Sequence, residues 1–251
     1  MSNTQIIRIP ILPLGLVNAH LIVGEKGAVL VDAGLPDSER QVRRVLAKRG
    51  LTFRDIRLIV ITHAHIDHAG NALRLKQLTG APIVAHEGDL PYYRRQRSMT
   101  YCATGWFGRL FLKTGLMHAP FEPFEPDILL SGSQTLNLDE WGVKGRVRPT
   151  PGHTEGSLSI ELADHQMLVG DLLASGILLG GLLFTDRPKK PPFEDDPVRV
   201  AESLERMLAE GGRLFYMGHG GPLSAAQVKR HVLDLTKEGH DKGHGQLGIS
   251  E

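Results

Sequence analysis

Thr62-His63-Ala64-His65-Ile66-Asp67-His68 sets three histidines and an aspartate within the six positions 63 to 68. Leu58 to Thr62, just before them, is a continuous apolar run bounded by polar residues, the pattern of a strand covered on both faces. A helix is expected from near Asp67 to Leu78, closed by Gly80 and Pro82. Packing does not explain such a cluster, because imidazole and carboxylate groups at one strand end need partners that an apolar core does not offer. Imidazole nitrogen and carboxylate oxygen are the usual ligands of zinc, iron or manganese. Spacing by two along an extended chain puts His63 and His65 on one side, while Asp67 and His68 reach toward a neighbouring position, so one motif is able to serve two adjacent ions.

Outward from the motif, the chain alternates strands and helices. Gln5 to Leu12, Ala19 to Val23 and Ala28 to Asp32 read as strands, with Gly24 to Gly27 as a hairpin turn. Val42, Val45 and Leu46 recur at helical spacing to about Arg49, and Pro82 to Ala85 is a further buried strand. Beyond the irregular stretch 87–126, short strands are expected at Ile128 to Leu130, Gln134 to Leu138, Val143 to Arg148, Ser157 to Leu162 and Gln166 to Val169, as in an antiparallel meander. The segment from Leu172 to Asp195 is rich in Gly and Pro and is read as irregular. Asp196 with Pro197 is a helix start, Arg213 to Met217 a last strand, and Ser224 with Gln227 a capping box for a helix to about Lys237. Strands followed by helices therefore occur twice. Two sheets packed face to face, each covered outside by helices, satisfy that order: an α/β fold of αββα type, read as one domain over 1–251 with a loose tail at 239–251.

Three strand ends beyond the motif carry the same chemistry. Pro149-Thr150-Pro151-Gly152-His153-Thr154 puts a histidine in a tight turn, Leu168-Val169-Gly170-Asp171 ends a strand on a carboxylate, and Met217-Gly218-His219-Gly220 ends the last strand on a histidine. Strand-end loops are where functional groups collect in α/β proteins. Any one of these turns alone is weak; all three together with the motif are not.

On these motifs, together with Val31-Asp32-Ala33-Gly34, the sequence resembles the metallo-β-lactamase-fold superfamily from about residue 5 to residue 235. The resemblance implies an αββα sandwich with two divalent ions, zinc first with iron or manganese as alternatives. It implies His63, His65 and His153 on the first ion, Asp67, His68 and His219 on the second, Asp171 bridging, and Asp32 fixing the ligand geometry. Two ions about 3.5 to 4 Å apart share a water and lower its pKa toward about 7, and Asp67 would orient that nucleophile and move its proton to the leaving group. The implied reaction is hydrolysis of an ester-like carbonyl: thioester, ester or lactone.

Branches of the superfamily differ in what departs from this set. The bridging Asp171 argues against a dedicated β-lactamase. Acylhomoserine-lactone lactonases place a tyrosine three residues after the bridging aspartate, where this chain has Ala174, so a lactonase would need a phenol from Tyr92, Tyr93 or Tyr101. Glyoxalase II thioesterases use the same ligands but generally append a helical glutathione-binding domain, whereas one helix is expected after His219. A nuclease needs a basic exosite. Persulfide dioxygenases bind one iron from the same positions and remain a different-class alternative, as does a non-catalytic metal site, although closed structural sites usually have four ligands and often cysteine.

Composition limits the partners. With 29 Lys plus Arg against 28 Asp plus Glu, the formal charge of +1 gives no global pull on nucleic acid or an acidic membrane. Cys102 has no partner for an intramolecular disulfide. Leu172 to Phe184 is 13 residues long with three glycines, short of the roughly 20 that span a bilayer, and no export signal is read at MSNTQIIRIP. A cytoplasmic enzyme acting on a small molecule is the expectation. Eight of the chain's aromatic residues and five basic ones fall within 87–126. That stretch is read as a lid that binds substrate, through Tyr92, Tyr93, Arg95, Tyr101 and Trp106, or equally as a packed satellite aromatic cluster or a homodimer contact. Its arginines are able to grip an anionic thiol carrier. His20 and His86 are expected to cap loops, and His118, His165 and His231 to lie on surfaces.

Overall fold

A computed structural model describes residues 4–177, 180 and 183–244, with side chains described as far as residue 236. The first sheet holds β1 (Gln5–Pro10), β2 (Asn18–Gly24), β3 (Gly27–Val31), β4 (Ile56–Val60), β5 (Ile83–His86) and β6 (Ile128–Leu130), in that spatial order. β1 to β3 pair antiparallel through hairpins, and β3 to β6 run parallel. Parallel neighbours need crossovers. These are supplied by α1 (Glu39–Ala47), by α2 (Ile66–Ala69) with α3 (Ala72–Thr79), and by the 87–126 stretch with α4 (Leu90–Tyr93) and α5 (Trp106–Leu112).

The second sheet comes from the later chain: β7 (Leu136–Asn137), β8 (Gly145–Pro149), β9 (Leu158–Leu162), β10 (Gln166–Leu168), β13 (Leu214–Tyr216) and β14 (Leu223–Ser224), in the order β14-β13-β10-β9-β8-β7. A two-stranded ribbon of β11 (Ala174–Ser175) and β12 (Pro188–Lys189) lies between β10 and α6 (Pro197–Ala209) in the chain, and α7 (Ala225–His244) follows β14.

Period-two alternation assigns each strand face to a layer. Val29, Val31, Leu58 and Val60 of the first sheet pack between the sheets with Val147, Leu158, Ile160 and Leu168 of the second. The opposite face of the first sheet, with Leu21, Leu30 and Ile59, packs under Val42 and Leu46 of α1 and Leu75 of α3. Met167 and Phe215 face outward from the second sheet onto Val200, Leu204 and Met207 of α6 and Val228 and Val232 of α7. Helix, sheet, sheet and helix stack in that order, the αββα sandwich expected. Asp196 caps α6 by accepting from the Val198 and Arg199 amides at 3.0 and 3.1 Å, a cap that contributes about 1 kcal/mol.

Four expectations are corrected. β6 joins the first sheet parallel to β5 instead of opening the meander. The helix after the motif breaks at Gly70 and Asn71, because Gly70 packs on the Gly34-to-Pro36 turn, and a Cβ there would stand 2.6 Å from Pro36 Cδ. His231 is buried in the α6–α7 layer, sharing the helix face of Val228 and Val232. α7 continues to His244, past the point where the tail was expected to loosen; residues 245–251 of that tail lie outside the described residues. No helix among the described residues is long and apolar enough to cross a membrane.

Candidate metal centre

Six strand ends meet at one edge of the sandwich. Asp32 follows β3, the His63-to-His68 motif follows β4, His153 sits between β8 and β9, Asp171 follows β10 and His219 follows β13; Asp89, just past β5, joins them. All seven residues expected to bind metal converge. Ligand atoms of His63, His65, His153 and Asp171 lie within 4.8 Å of one another, as do those of Asp67, His68 and His219.

The inner contacts have the form of a chelate. His153 Nε2 stands 3.1 Å from both His63 Nε2 and His65 Nδ1. Asp171 faces both groups: its Oδ1 is 3.4 Å from His68 Nε2, and its Oδ2 is 3.0 Å from His219 Nε2 and 3.9 Å from His153 Nε2. Asp67 Oδ2 lies 3.3 Å from His219 Nε2. Six of the seven residues are buried; Asp67 alone is partly open.

Hydrogen bonds behind the cluster decide which imidazole nitrogens face inward. Asp32 has φ +66°, a left-handed conformation that aspartate tolerates better than most residues. Its Oδ1 accepts from the Thr62 amide at 2.8 Å, and its Oδ2 accepts from His68 Nδ1 at 2.8 Å and from the Thr62 hydroxyl at 3.0 Å. With its proton given to Asp32, the Thr62 oxygen accepts from His63 Nδ1 at 3.0 Å. One carboxylate therefore fixes His68 directly and His63 through a hydroxyl, leaving both Nε2 atoms toward the centre. His219 Nδ1 donates to the Leu16 carbonyl with the same result. Metal-ligating histidines generally need such partners on the far nitrogen.

Electrostatics agree with a cation site. Burial holds His63 and His65 well below the ordinary histidine range and His153 at about 4, so these three imidazoles are neutral donors. Burial opposes charge on His68 and His219 as well. There Asp171 and its fellow carboxylates outweigh it, raising His68 well above its usual range and His219 to about 10. Asp67 and Asp171 are held below the usual carboxylate range, against burial, by those two histidines. Protons are thus concentrated where a divalent ion would displace them. Among the described residues, Asp67 Oδ1, His68 Nε2 and Asp171 Oδ1 are buried without a hydrogen-bond partner, which costs free energy unless a metal ion satisfies them. By donor set, orientation and unsatisfied atoms, the residues fit a metal.

Asp89 is a member of the site that the sequence reading passed over. Its Oδ2 accepts from the Ala64 amide at 2.8 Å and the Thr154 hydroxyl at 2.9 Å, and its Oδ1 accepts from the Gly156 amide at 2.9 Å. It ties the motif loop to the His153 loop. Burial pushes its carboxyl up to about 6. Glu87-Gly88-Asp89 carries no local signal for this role, since both loops it joins are remote in sequence.

The five lid residues divide. Tyr92, Arg95 and Tyr101 line a cavity of about 160 Å³ that reaches Ala64 and Ile66 of the motif. Tyr101 lies 5.0 Å from the His65 ring and donates its hydroxyl to the Met117 carbonyl at 2.7 Å. Tyr93 is fully buried against Phe124 and Trp106 stands 70% exposed, and neither is among the residues that line this cavity. His86 caps as expected, accepting from the Gly88 amide.

The sequence model of the metallo-beta-lactamase superfamily matches residues 12–219. A metallo-beta-lactamase fold-containing protein of Sulfurisphaera tokodaii is 26% identical over 228 residues, covering 89% of this chain and 80% of that protein. A hydroxyacylglutathione hydrolase of Anaeromyxobacter dehalogenans is 27% identical over 206 residues, 80% of this chain and 60% of that protein. The crystal structure of an archaeal superfamily protein from Sulfolobus tokodaii superposes with a TM-score of 0.63 at 22% identity, over 91% of this chain and 85% of that one, which speaks to the fold. With the fold, the His and Asp cluster and the match over residues 12–219 in agreement, this chain belongs to the metallo-beta-lactamase superfamily of metal-dependent hydrolases.

Proposed function

We propose that the chain is a dinuclear hydrolase that cleaves an ester-like carbonyl compound of small size, a thioester or ester ahead of a lactone. The observation that carries this reading is Asp171, whose two oxygens face the two ligand groups at once. An all-nitrogen-and-oxygen donor set of this kind suits zinc, with iron or manganese as alternatives. Two divalent ions, when bound, supply an activated water at neutral pH and polarise the carbonyl under attack.

The chain's own residues do the rest. Asp32, Thr62 and the Leu16 carbonyl hold His63, His68 and His219 in the tautomer that presents Nε2 inward. Asp67, the least enclosed of the seven, is placed to accept the proton of the attacking water and pass it to the leaving oxygen or sulfur. The water oxygen bonds to the carbonyl carbon, the C–O or C–S bond breaks, and the alcohol or thiol leaves protonated. Tyr101 and Phe193, with ring centres 5.0 and 6.4 Å from that of His65, wall the site on the side of the 87–126 lid, whose role is to shape the substrate pocket.

Ala174, where the lactonases carry their phenol, is buried in β11 and the Tyr101 hydroxyl donates to the Met117 carbonyl, which counts against a lactone; Tyr92, on the cavity wall, is the phenol a lactonase would have to use. The likeness to a protein named a hydroxyacylglutathione hydrolase favours a thioester. The test is metal content followed by thioester, ester, lactone, phosphodiester and β-lactam assays on zinc- and iron-loaded protein. Thioester or ester hydrolysis lost in His63→Ala and Asp171→Ala is expected. Hydrolysis intact in both variants, or persulfide oxidation by the iron form with no hydrolysis, overturns the reading.

A further inference from the structure

The cavity beside the cluster has a charge that the metal centre does not explain. Its lining contains Arg95, Arg97 and His118 and no carboxylate. The neighbouring Arg94 is paired away, its Nε donating to Glu125 at 2.8 Å. Arg95 and Arg97 have no acidic partner among the described residues, although the chain holds nearly as many acidic as basic groups. Arg95 also holds φ +55°, a left-handed backbone that arginine seldom adopts, in a turn pinned by its amide to the Tyr92 carbonyl at 3.0 Å and by the Gln96 and Arg97 amides to the Pro91 carbonyl at 2.8 and 3.2 Å. These are the bonds that close α4, where the residue after the cap turns left-handed, and they fix where the Arg95 side chain leaves the backbone. Apart from Ser98, the rest of the wall is apolar or aromatic, with Ala64, Ile66, Tyr92, Met99 and Phe121 among it.

We propose that this cavity takes an oxyanion-bearing arm of the substrate, a carboxylate or phosphate at the end of a short apolar stem, with Arg95 and Arg97 gripping the anion while the scissile carbonyl lies over the cluster. The proposal rests on the hydrolase reading and names its substrate class. Two guanidiniums that line one cavity from its exposed side, with no carboxylate in that lining, suit an oxyanion, which accepts paired N–H donors. An apolar stem fits the walls that connect the arginines to Ala64 and Ile66, and a cavity of about 160 Å³ admits an arm of a small molecule, not a polymer.

The binding test uses chelator-treated protein, so that it does not depend on turnover. 4-Phenylbutyrate, 2-phenylethyl phosphate and uncharged 4-phenylbutyramide are titrated calorimetrically into wild type and an Arg95→Gln/Arg97→Gln variant. At least one anion is expected to bind about tenfold more tightly than the amide, with that advantage lost in the variant and weakened by salt. The tighter of the two anions identifies carboxylate or phosphate. Equal affinity for the amide, or anion binding unchanged in the variant, overturns the proposal. In the metal-loaded enzyme, the kcat/KM ratio of mono-4-nitrophenyl adipate to 4-nitrophenyl hexanoate is expected to fall about tenfold in the variant; an unchanged ratio counts against the grip. If neither ester is hydrolysed, the hydrolase reading is decided by the wider substrate panel above, while calorimetry still decides the cavity.

Discussion

Gly218 separates the second ligand group from the backbone behind it, and Gly218→Ala tests how tightly that group is built. A Cβ at this position would stand 2.3 Å from Asp171 Oδ1 and 2.4 Å from His68 Cε1. Real Cβ contacts essentially never fall below 3.0 Å, so the gap must open by at least about 0.7 Å. The backbone has little room to retreat: the Gly218 amide donates to the Gly170 carbonyl at 3.0 Å, and its carbonyl accepts from the Asn18 amide at 2.8 Å and side chain at 3.2 Å. Displacement therefore falls on Asp171 and His68. Ligand distances tolerate only about 0.2 Å, and disturbing the groups that orient ligands typically costs 10- to 100-fold in metal affinity. The expected outcome is at least a tenfold loss of affinity for the second zinc, read by chelator competition, with about 1–3 kcal/mol of stability lost in metal-free urea unfolding. Gly105→Ala is the control, because its added Cβ meets nothing within 4 Å at φ −166°, and it should change stability by less than about 0.5 kcal/mol. A Gly218→Ala protein that binds both ions with wild-type affinity would refute this geometry.

Asp32→Ala removes the acceptor that orients His68 directly and His63 through Thr62, and should lower metal affinity about 10- to 100-fold by the same competition assay. Asp89, with its carboxyl pushed up to about 6, holds its proton more tightly folded than unfolded. Its contribution to stability is full below about pH 4 and is lost as pH rises through about 6, an effect on the order of 3 kcal/mol. Urea unfolding of chelator-treated protein between pH 4 and 7 should show a slope that Asp89→Asn flattens; identical slopes would exclude the effect. Tyr93→Phe removes a buried hydroxyl that has no hydrogen-bond partner among the described residues, so it should be neutral or stabilise by up to about 1 kcal/mol in the same measurement. A clear destabilisation would mean that the hydroxyl is satisfied.

Residues adjacent in sequence carried their meaning openly. Three imidazoles and a carboxylate right after an apolar strand admit few structural explanations, and the strand ends at His153, Asp171 and His219 repeat the same chemistry. What stayed hidden depends on contacts between remote segments. β6 is three residues long, so nothing in Ile128 to Leu130 records whether it pairs with β5 or opens the second sheet. Gly70 reads as a tolerable helix glycine until the Gly34-to-Pro36 turn is seen against it. Asp89 acts on Ala64, Thr154 and Gly156, none of them its neighbour in the chain. His231 was legible in principle, because it falls on the helical stripe of Val228, Val232 and Leu235, yet its polarity argued for the surface. Tyr92 and Tyr93 are adjacent, but one lines the cavity and the other fills the core, a division that aromatic content alone does not make.

Zinc titration into chelator-treated protein, with bound metal and hydrolysis of a small thioester followed together, tests the central claim most directly. Activity should rise with occupancy and reach its plateau at about two ions per chain, and Asp171→Asn should bind fewer ions and lose the activity. Saturation at one ion per chain, or a two-ion form that hydrolyses no ester-like carbonyl, would contradict the account.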